Sequence, residues 1–500
     1  QIENNDPELK KLTIGPSNYL PPDGDWERVG QGIGRNEHIK ELRFGERFIE
    51  DATHRAEFKS FCEGLACNNS VEQLEIECDQ LFDGEIFEIL TPFFEQNSNL
   101  CSLKVKIRVI RTHNLVMQSV RFLSAALLRF NTLKEFKCYG GRLGDGNIES
   151  IVRALVGHSG LTIIILSGNE VGGSGAARAL AALLNKPDSS LEELELGGCS
   201  IDNEGVGVLT DALARNRTLR KLDISQNRNV TVMGWRGLLT QLLSPEMPLE
   251  KLELWDNSFD NEAANLLVTA LANSKLLKAL DLSESHSITT EGWRALFAEL
   301  RNPRCVLQEL NLRDNLFRNE DVTYLMNCLA NNCVLRHLDL SVNYNVTASG
   351  WMAFAAVLQN PISAMEKLDL GYNNISNDAL ISLANSLMHN NKLKELFLDY
   401  DEDDTTIRTW GGFFSTVLCD KLSINTTFDS NHTLQRVCDD LDNSNIIAES
   451  DLPSDLQALL KLNRENTPID AARRKILSVH FSGGDFNMQP FIDMDLKLLP

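Results

Sequence analysis

Three short stretches carry residue types that could do chemistry. Gly30-Gln31-Gly32-Ile33-Gly34 has the glycine density of a loop that wraps a pyrophosphate, and Gly168-Asn-Glu-Val-Gly-Gly-Ser174 that of a phosphate-cradling turn. Asp399-Tyr400-Asp401-Glu402-Asp403-Asp404 opens with the D-x-D-x-D spacing of a calcium loop. Each lacks a second requirement. No strand leads into the first stretch, which lies in register with the helical half of another repeat, and the second has no lysine to reach a terminal phosphate. In the third, Asp404 stands where the turn needs glycine and Trp410 where the loop needs its bidentate glutamate. The nine histidines are scattered, with no Ser/His/Asp or Cys/His pairing supported by register. The eleven cysteines include no C-x-x-C pair; Cys62 and Cys67, like Cys328 and Cys333, are spaced too widely for a tight zinc pair. These thiols read as reduced and buried, which places the chain in an intracellular, most simply cytoplasmic, setting. The sequons at Asn229, Asn345 and Asn425 read as products of Asn-rich turns. We therefore expect no enzyme, no catalytic or metal-binding residues and no cofactor.

The elements that carry these stretches follow a strict period. Trp235, Trp293 and Trp351 stand 58 residues apart, each behind a glycine (Gly234, Gly292, Gly350). Within the period an L-x-x-L-x-L frame restarts at Leu191, Leu219, Leu249, Leu277, Leu307, Leu335, Met365 and Leu393, so that steps of 28 and 30 alternate. A looser frame runs upstream from Leu9 through Ile39, Val71, Leu100, Leu133 and Leu161, giving about fourteen repeats in all. In Leu194-Glu195-Leu196 apolar and polar residues alternate, the pattern of a half-buried strand. Val206, Leu209 and Leu213 then fall on one helical face, and Asn216 suits a helix stop. The ninth position is Asn169, Asn227, Asn257, Asn315, Asn343 or Asn373, whose amide can bond the turn and its neighbour; Cys199 fills a similar place. The tryptophans begin the helices and are expected in the core.

One such unit cannot cover its own apolar face, so neighbours must. Strands stack about 4.8 Å apart and helices need roughly 8–10 Å, which bends the stack. The expected fold is α/β: a leucine-rich-repeat solenoid, or horseshoe, with a parallel sheet on the concave face and helices on the convex face. The alternating period and the Asn/Cys position resemble the ribonuclease-inhibitor class of leucine-rich repeats over residues 9–433. That class includes Ran GTPase-activating protein and the sensor regions of nucleotide-binding innate immune receptors. The Gly-Trp units and the segments at 430–434, 452–463, 471–477, 480–481 and 494–500 are similar to a large algal, diatom-type leucine-rich-repeat family. The resemblance implies a binding scaffold, with small-GTPase regulation or the sensing part of a longer receptor as alternatives. Residues 1–433 read as the solenoid and 434–500 as a helical C-terminal cap, in which Arg473, Arg474 and Lys475 form either a solvated helix face or a docking surface.

The formal net charge is −22. An acidic array repels nucleic-acid phosphates and anionic membranes, and a protein with a basic patch is its complement. No stretch of 18 apolar residues spans a membrane. The chain opens on Gln1, and further sequence is expected before it. The outward strand positions of the later repeats form the candidate partner site: Glu193, Glu195, Asp223, Glu253, Trp255, Asp256, Asp281, Glu309, Arg313, Asp339, Asp369, Tyr372, Phe397, Asp399 and Tyr400. Carboxylates recur there at the fifth position, with the aromatic residues as anchors. Upstream, Arg43, Lys104, Lys106 and Lys137 occupy outward positions, so the inner face is expected to run from basic to acidic along its length.

Overall fold

The computed structural model describes residues 2, 4–14, 25–45, 52–78, 85–107, 113–373, 375–388, 390–398, 413–437 and 452–480. The chain divides into two compact units, Gln1–Ser258 and Phe259–Pro500. In the first, strands β1 (Lys11–Ile14), β2 (Glu41–Phe44), β3 (Gln73–Cys78), β4 (Ser102–Ile107), β5 (Glu135–Tyr139), β6 (Ile163–Ile165), β7 (Glu193–Glu195), β8 (Lys221–Asp223) and β9 (Lys251–Glu253) are parallel and pair in chain order. Its helices are α1 (Trp26–Arg35), α2 (Ala52–Leu65), α3 (Glu85–Ile89), α4 (Thr91–Gln96), α5 (His113–Leu127), α6 (Asp145–Leu155), α7 (Ser174–Leu184), α8 (Asn203–Leu213) and α9 (Val232–Leu242).

The second unit repeats the arrangement. Strands β10 (Ala279–Asp281), β11 (Glu309–Asn311), β12 (His337–Asp339), β13 (Lys367–Asp369) and β14 (Glu395–Phe397) pair in parallel. Helices α10 (Asn261–Leu271), α11 (Thr290–Glu299), α12 (Asn319–Leu329), α13 (Ala348–Leu358) and α14 (Asn377–Leu387) alternate with them. α15 (413–418), α16 (Ile424–Phe428), α17 (Ser454–Glu465) and α18 (Pro468–His480) follow. The boundary expected after residue 433 falls at a strand-like segment, where Arg436 bridges Glu395 in parallel.

The strands align leucine on leucine. Leu194 pairs with Leu222 and Leu222 with Leu252 in the first unit, and Leu310 with Leu338 and Leu338 with Leu368 in the second, so in each unit the core-facing side of the strands is an apolar row. Beside this row runs a ladder of ninth-position asparagines. The Asn343 amide donates to Leu340 O at 2.9 Å and Leu312 O at 3.1 Å, and its oxygen accepts from Asn315 N at 3.0 Å. Asn227 and Asn373 repeat the scheme. The turn that each asparagine braces requires a left-handed eighth residue. Glycine fills it at Gly140, Gly168 and Gly198, with φ of +74°, +77° and +64°. Later repeats place Gln226, Asp256, Glu284, Asp314, Val342 and Tyr372 there at φ between 50° and 62°, a conformation that costs an L-residue about 1 kcal/mol or more.

Trp235, Trp293 and Trp351 are 0–2% exposed, as the core reading expects. The preceding glycines have a separate reason. A Cβ on Gly234, Gly292 or Gly350 would lie 2.6–2.7 Å from the side-chain oxygen of Asn203, Asn261 or Asn319 in the preceding repeat. Those asparagines bond the N-cap threonine of the next helix twice: Asn203 with Thr231, Asn261 with Thr289, Asn319 with Thr347, at 2.8–2.9 Å. The 58-residue period is thus an alternation between a repeat that supplies asparagine and one that supplies threonine and glycine.

Candidate functional site

The glycine stretches serve packing. Gly30 and Gly34 lie in α1, where an added Cβ would stand 2.1 Å from Phe61 O and 2.2 Å from Gly64 O of α2. Two helices approach so closely only without side chains between them. At Gly168–Ser174 the place a phosphate would take is filled by a carboxylate: Asp145 accepts from Gly175 N at 3.2 Å and Ala176 N at 3.0 Å, at the start of α7. The carboxylate run from Asp399 to Asp404 lies outside the described residues, as do the partner candidates Asp399 and Tyr400. Cys138 and Cys199 are buried, and burial pushes both thiols up to about 12. Among the described residues no His/Cys/Asp/Glu group is placed to hold a metal ion, and no helix is long and apolar enough to cross a membrane.

On the outer sheet face of the first unit, charges are matched across strands. Lys221 lies 2.8 Å from Glu193, 2.5 Å from Glu195 and 3.7 Å from Glu253. Burial opposes that ammonium, yet the three carboxylates outweigh it and hold Lys221 well above the ordinary lysine range. Asp256 accepts a bidentate pair from Arg228. Both Asp223 and Asp256 are buried, so two expected contact residues are covered by their neighbours. The upstream strands are not basic, a correction to the charge gradient expected above. β3 contributes Glu75 and Glu77, which pair with Lys104 at 2.7 Å, Arg43 at 2.8 Å and Lys106 at 3.5 Å. These neutralising glutamates alternate on the strand as the lysines do, a signal that the sequence carries. Trp255 stays half-buried at the sheet margin.

The outer face of the second unit is different. Asp281, Glu309, Asp339 and Asp369 occupy it, with Glu284 and Asp314 on its rim. Among the described residues the cations on it are Lys367 and Arg313, with Lys278, Arg336 and Lys394 just ahead of β10, β12 and β14. Arg313 lies over the Tyr372 ring at 6.0 Å and Lys367 over the Phe397 ring at 4.9 Å. Phe397 is only 3% exposed, so this expected anchor is covered, whereas Tyr372 is half-buried. Two histidines lean on the acids: His286 on Asp314 and His337 on Glu309, each at 3.3 Å.

The fifth-position aspartates have a local task as well. Asp281 accepts from Ser283 N at 2.9 Å and Ser283 Oγ at 2.6 Å, and Asp339 treats Ser341 alike. Asp223 does the same with Ser225 in the first unit, and Asp369 accepts from Gly371 N. These are Asx turns that end the strand. The D-x-S spacing announces them in the sequence. Glu284 and Glu309 carry no such turn.

Lys475 is neither a solvated nor a docking residue. It is fully buried (0% exposed) and donates to Leu418 O at 2.6 Å and Asn431 O at 2.9 Å. Sequence reasoning missed it because a lysine within Arg-Arg-Lys gives no sign of which face of the helix is covered.

Parallel strands in chain order, helices between them and an asparagine ladder define a leucine-rich-repeat protein. A family profile described as Leucine Rich repeat matches residues 188–209 and 364–384. Ribonuclease inhibitor of Mus musculus is 24% identical over 369 residues, covering 68% of this chain and 79% of that protein. Its counterpart of Sus scrofa is 30% identical over 256 residues, covering 51% and 55%. NACHT, LRR and PYD domains-containing protein 14 of Mus musculus is 30% identical over 228 residues. That match covers 46% of this chain and 23% of the relative. The chain is a ribonuclease-inhibitor-like leucine-rich-repeat protein, and the likeness supports a protein-interaction kind of role.

Proposed function

We propose that the chain is a non-catalytic scaffold that grips a protein partner on the outer sheet face of the second unit, through a basic patch on that partner. The observation that carries this is the charge of that face. Asp281, Glu284, Glu309, Asp314, Asp339 and Asp369 gather there against Arg313 and Lys367, whereas the first unit pairs its charges internally. An excess of carboxylates over cations on a surface steers and orients a cationic partner. Tyr372, half-buried on the same rim as Glu284 and Asp314, supplies apolar area beside the acids. Ribonuclease inhibitor, by its name, acts on a protein, which accords with this reading.

The test is capture from native extract with the full chain, followed by mass spectrometry. Glu284→Lys and Glu309→Lys together are expected to weaken retention of the captured protein about tenfold or more. Both positions lie outside the Asx turns, so the fold is retained. The control reverses Glu41 and Glu135 in the first unit and leaves capture unchanged. Equal retention by the second-unit variant and the parent would reject the site.

A further inference from the structure

The C-terminal helices are fastened by a buried cation that, among the described residues, has no carboxylate beside it. α18 packs on α16 and α17. From it Lys475 reaches the Leu418 carbonyl at the end of α15, the Asn431 carbonyl, and His432 Nδ1 at 3.1 Å. Among the described residues no carboxylate pairs with Lys475. The hydrogen bonds fix the protonation pattern. His432 Nε2 lies 3.0 Å from Phe428 O. A carbonyl only accepts, so Nε2 carries the proton and Nδ1 of the neutral ring offers a lone pair. The Lys475 amine then meets three acceptors, and only the ammonium form has three hydrogens to give. Carbonyl dipoles take the place of a counter-ion.

We propose that Lys475 is a three-acceptor latch holding α17 and α18 against the last repeat, and that acidification opens it by protonating His432 on Nδ1. That proton removes one acceptor and sets an imidazolium against the ammonium at about 3 Å. The other ionisable groups near the latch are Cys419, Asp420 and Lys421 after α15, Asp429 beside His432, and His480 farther along α18, bonded to Thr427. Burial, then Lys475, lowers His432 to about 4. A histidine depressed in the docked state and ordinary, near 6.5, in the released state favours release as pH falls through that interval. Burial also lowers Lys475, to about 7. Near pH 7 that amine adds a slope of the same sign, and below about pH 6 it is charged in both states and adds none.

Hydrogen–deuterium exchange on the full chain, corrected for intrinsic rates, tests this. Amides of α18 are expected to lose protection about tenfold per pH unit between about 6.5 and about 4, while those of α14 hold theirs. His432→Asn keeps an acceptor that does not titrate, and its α18 amides should lose that slope. Lys475→Met should lower α18 protection at pH 7 about tenfold or more. A flat profile in the parent, or an unchanged slope in His432→Asn, overturns the acid trigger. Full α18 protection in Lys475→Met at pH 7 overturns the latch. If Lys475→Met releases the helices at every pH, the His432→Asn profile still decides the trigger.

Discussion

A ninth-position asparagine closes two repeats at once. In Asn343→Ala the Asn315 amide and the Leu312 and Leu340 carbonyls lose their partner inside the core. Unpaired buried groups cost about 1–3 kcal/mol each when water cannot reach them, so a loss of about 3 kcal/mol or more is expected in urea unfolding. A midpoint equal to the parent's would show the ladder to be ornamental. Thiol chemistry separates the same residues by burial. Cys67 and Cys333 are exposed, whereas Cys62, Cys138, Cys199, Cys328 and Cys419 are buried. Alkylation of the native chain followed by peptide mapping should mark Cys67 and Cys333 first, the buried thiols reacting only in denaturant. Fast labelling of Cys199 in the native state would contradict its place in the ladder.

At the scale of the element, the Gly-Trp helices illustrate how one constraint hides behind another. Tryptophan after glycine reads in the sequence as a core residue behind a helix start, and the core part is correct. The glycine is explained by two close neighbours, the branched side chain four residues before it and the asparagine of the preceding repeat, some thirty residues away in the chain. Gly292→Ala should destabilise by about 1–3 kcal/mol, although alanine is by about 1 kcal/mol the better helix former. Asn261→Ala removes the obstructing oxygen, so the double variant should be more stable than the two single losses predict. Strict additivity in a double-mutant cycle would sink the clamp. Ile288 stays close to the new Cβ, so recovery is partial.

For the whole molecule, the repeat arithmetic and the chemistry of the faces had different legibility. The leucine frame, the asparagine positions and the alternating steps were enough to predict parallel strands in order with helices between, since each depends on residues one turn or one repeat away. The site was less legible. Glu75 and Glu77 cancel the upstream lysines, Lys221 ties up three later glutamates, and Phe397 lies covered beneath Lys367. What stays acidic is the second unit's face, and its binding should be ionic. Raising salt from about 0.05 to about 0.5 M shortens the screening length severalfold and should release most of the captured partner. Retention unchanged by salt would point to apolar docking instead.

The sequence by itself determined the repeat, its period and the interior row of leucines and asparagines, because a short unit that recurs must bury the same positions each time. Tertiary structure alone decided which charges a neighbouring strand neutralises, which glycine a neighbour demands and that Lys475 is buried. Those outcomes depend on which side chains meet across repeats and at the C-terminal helices, and a side chain's partner there is set by packing in space, not by its distance along the chain.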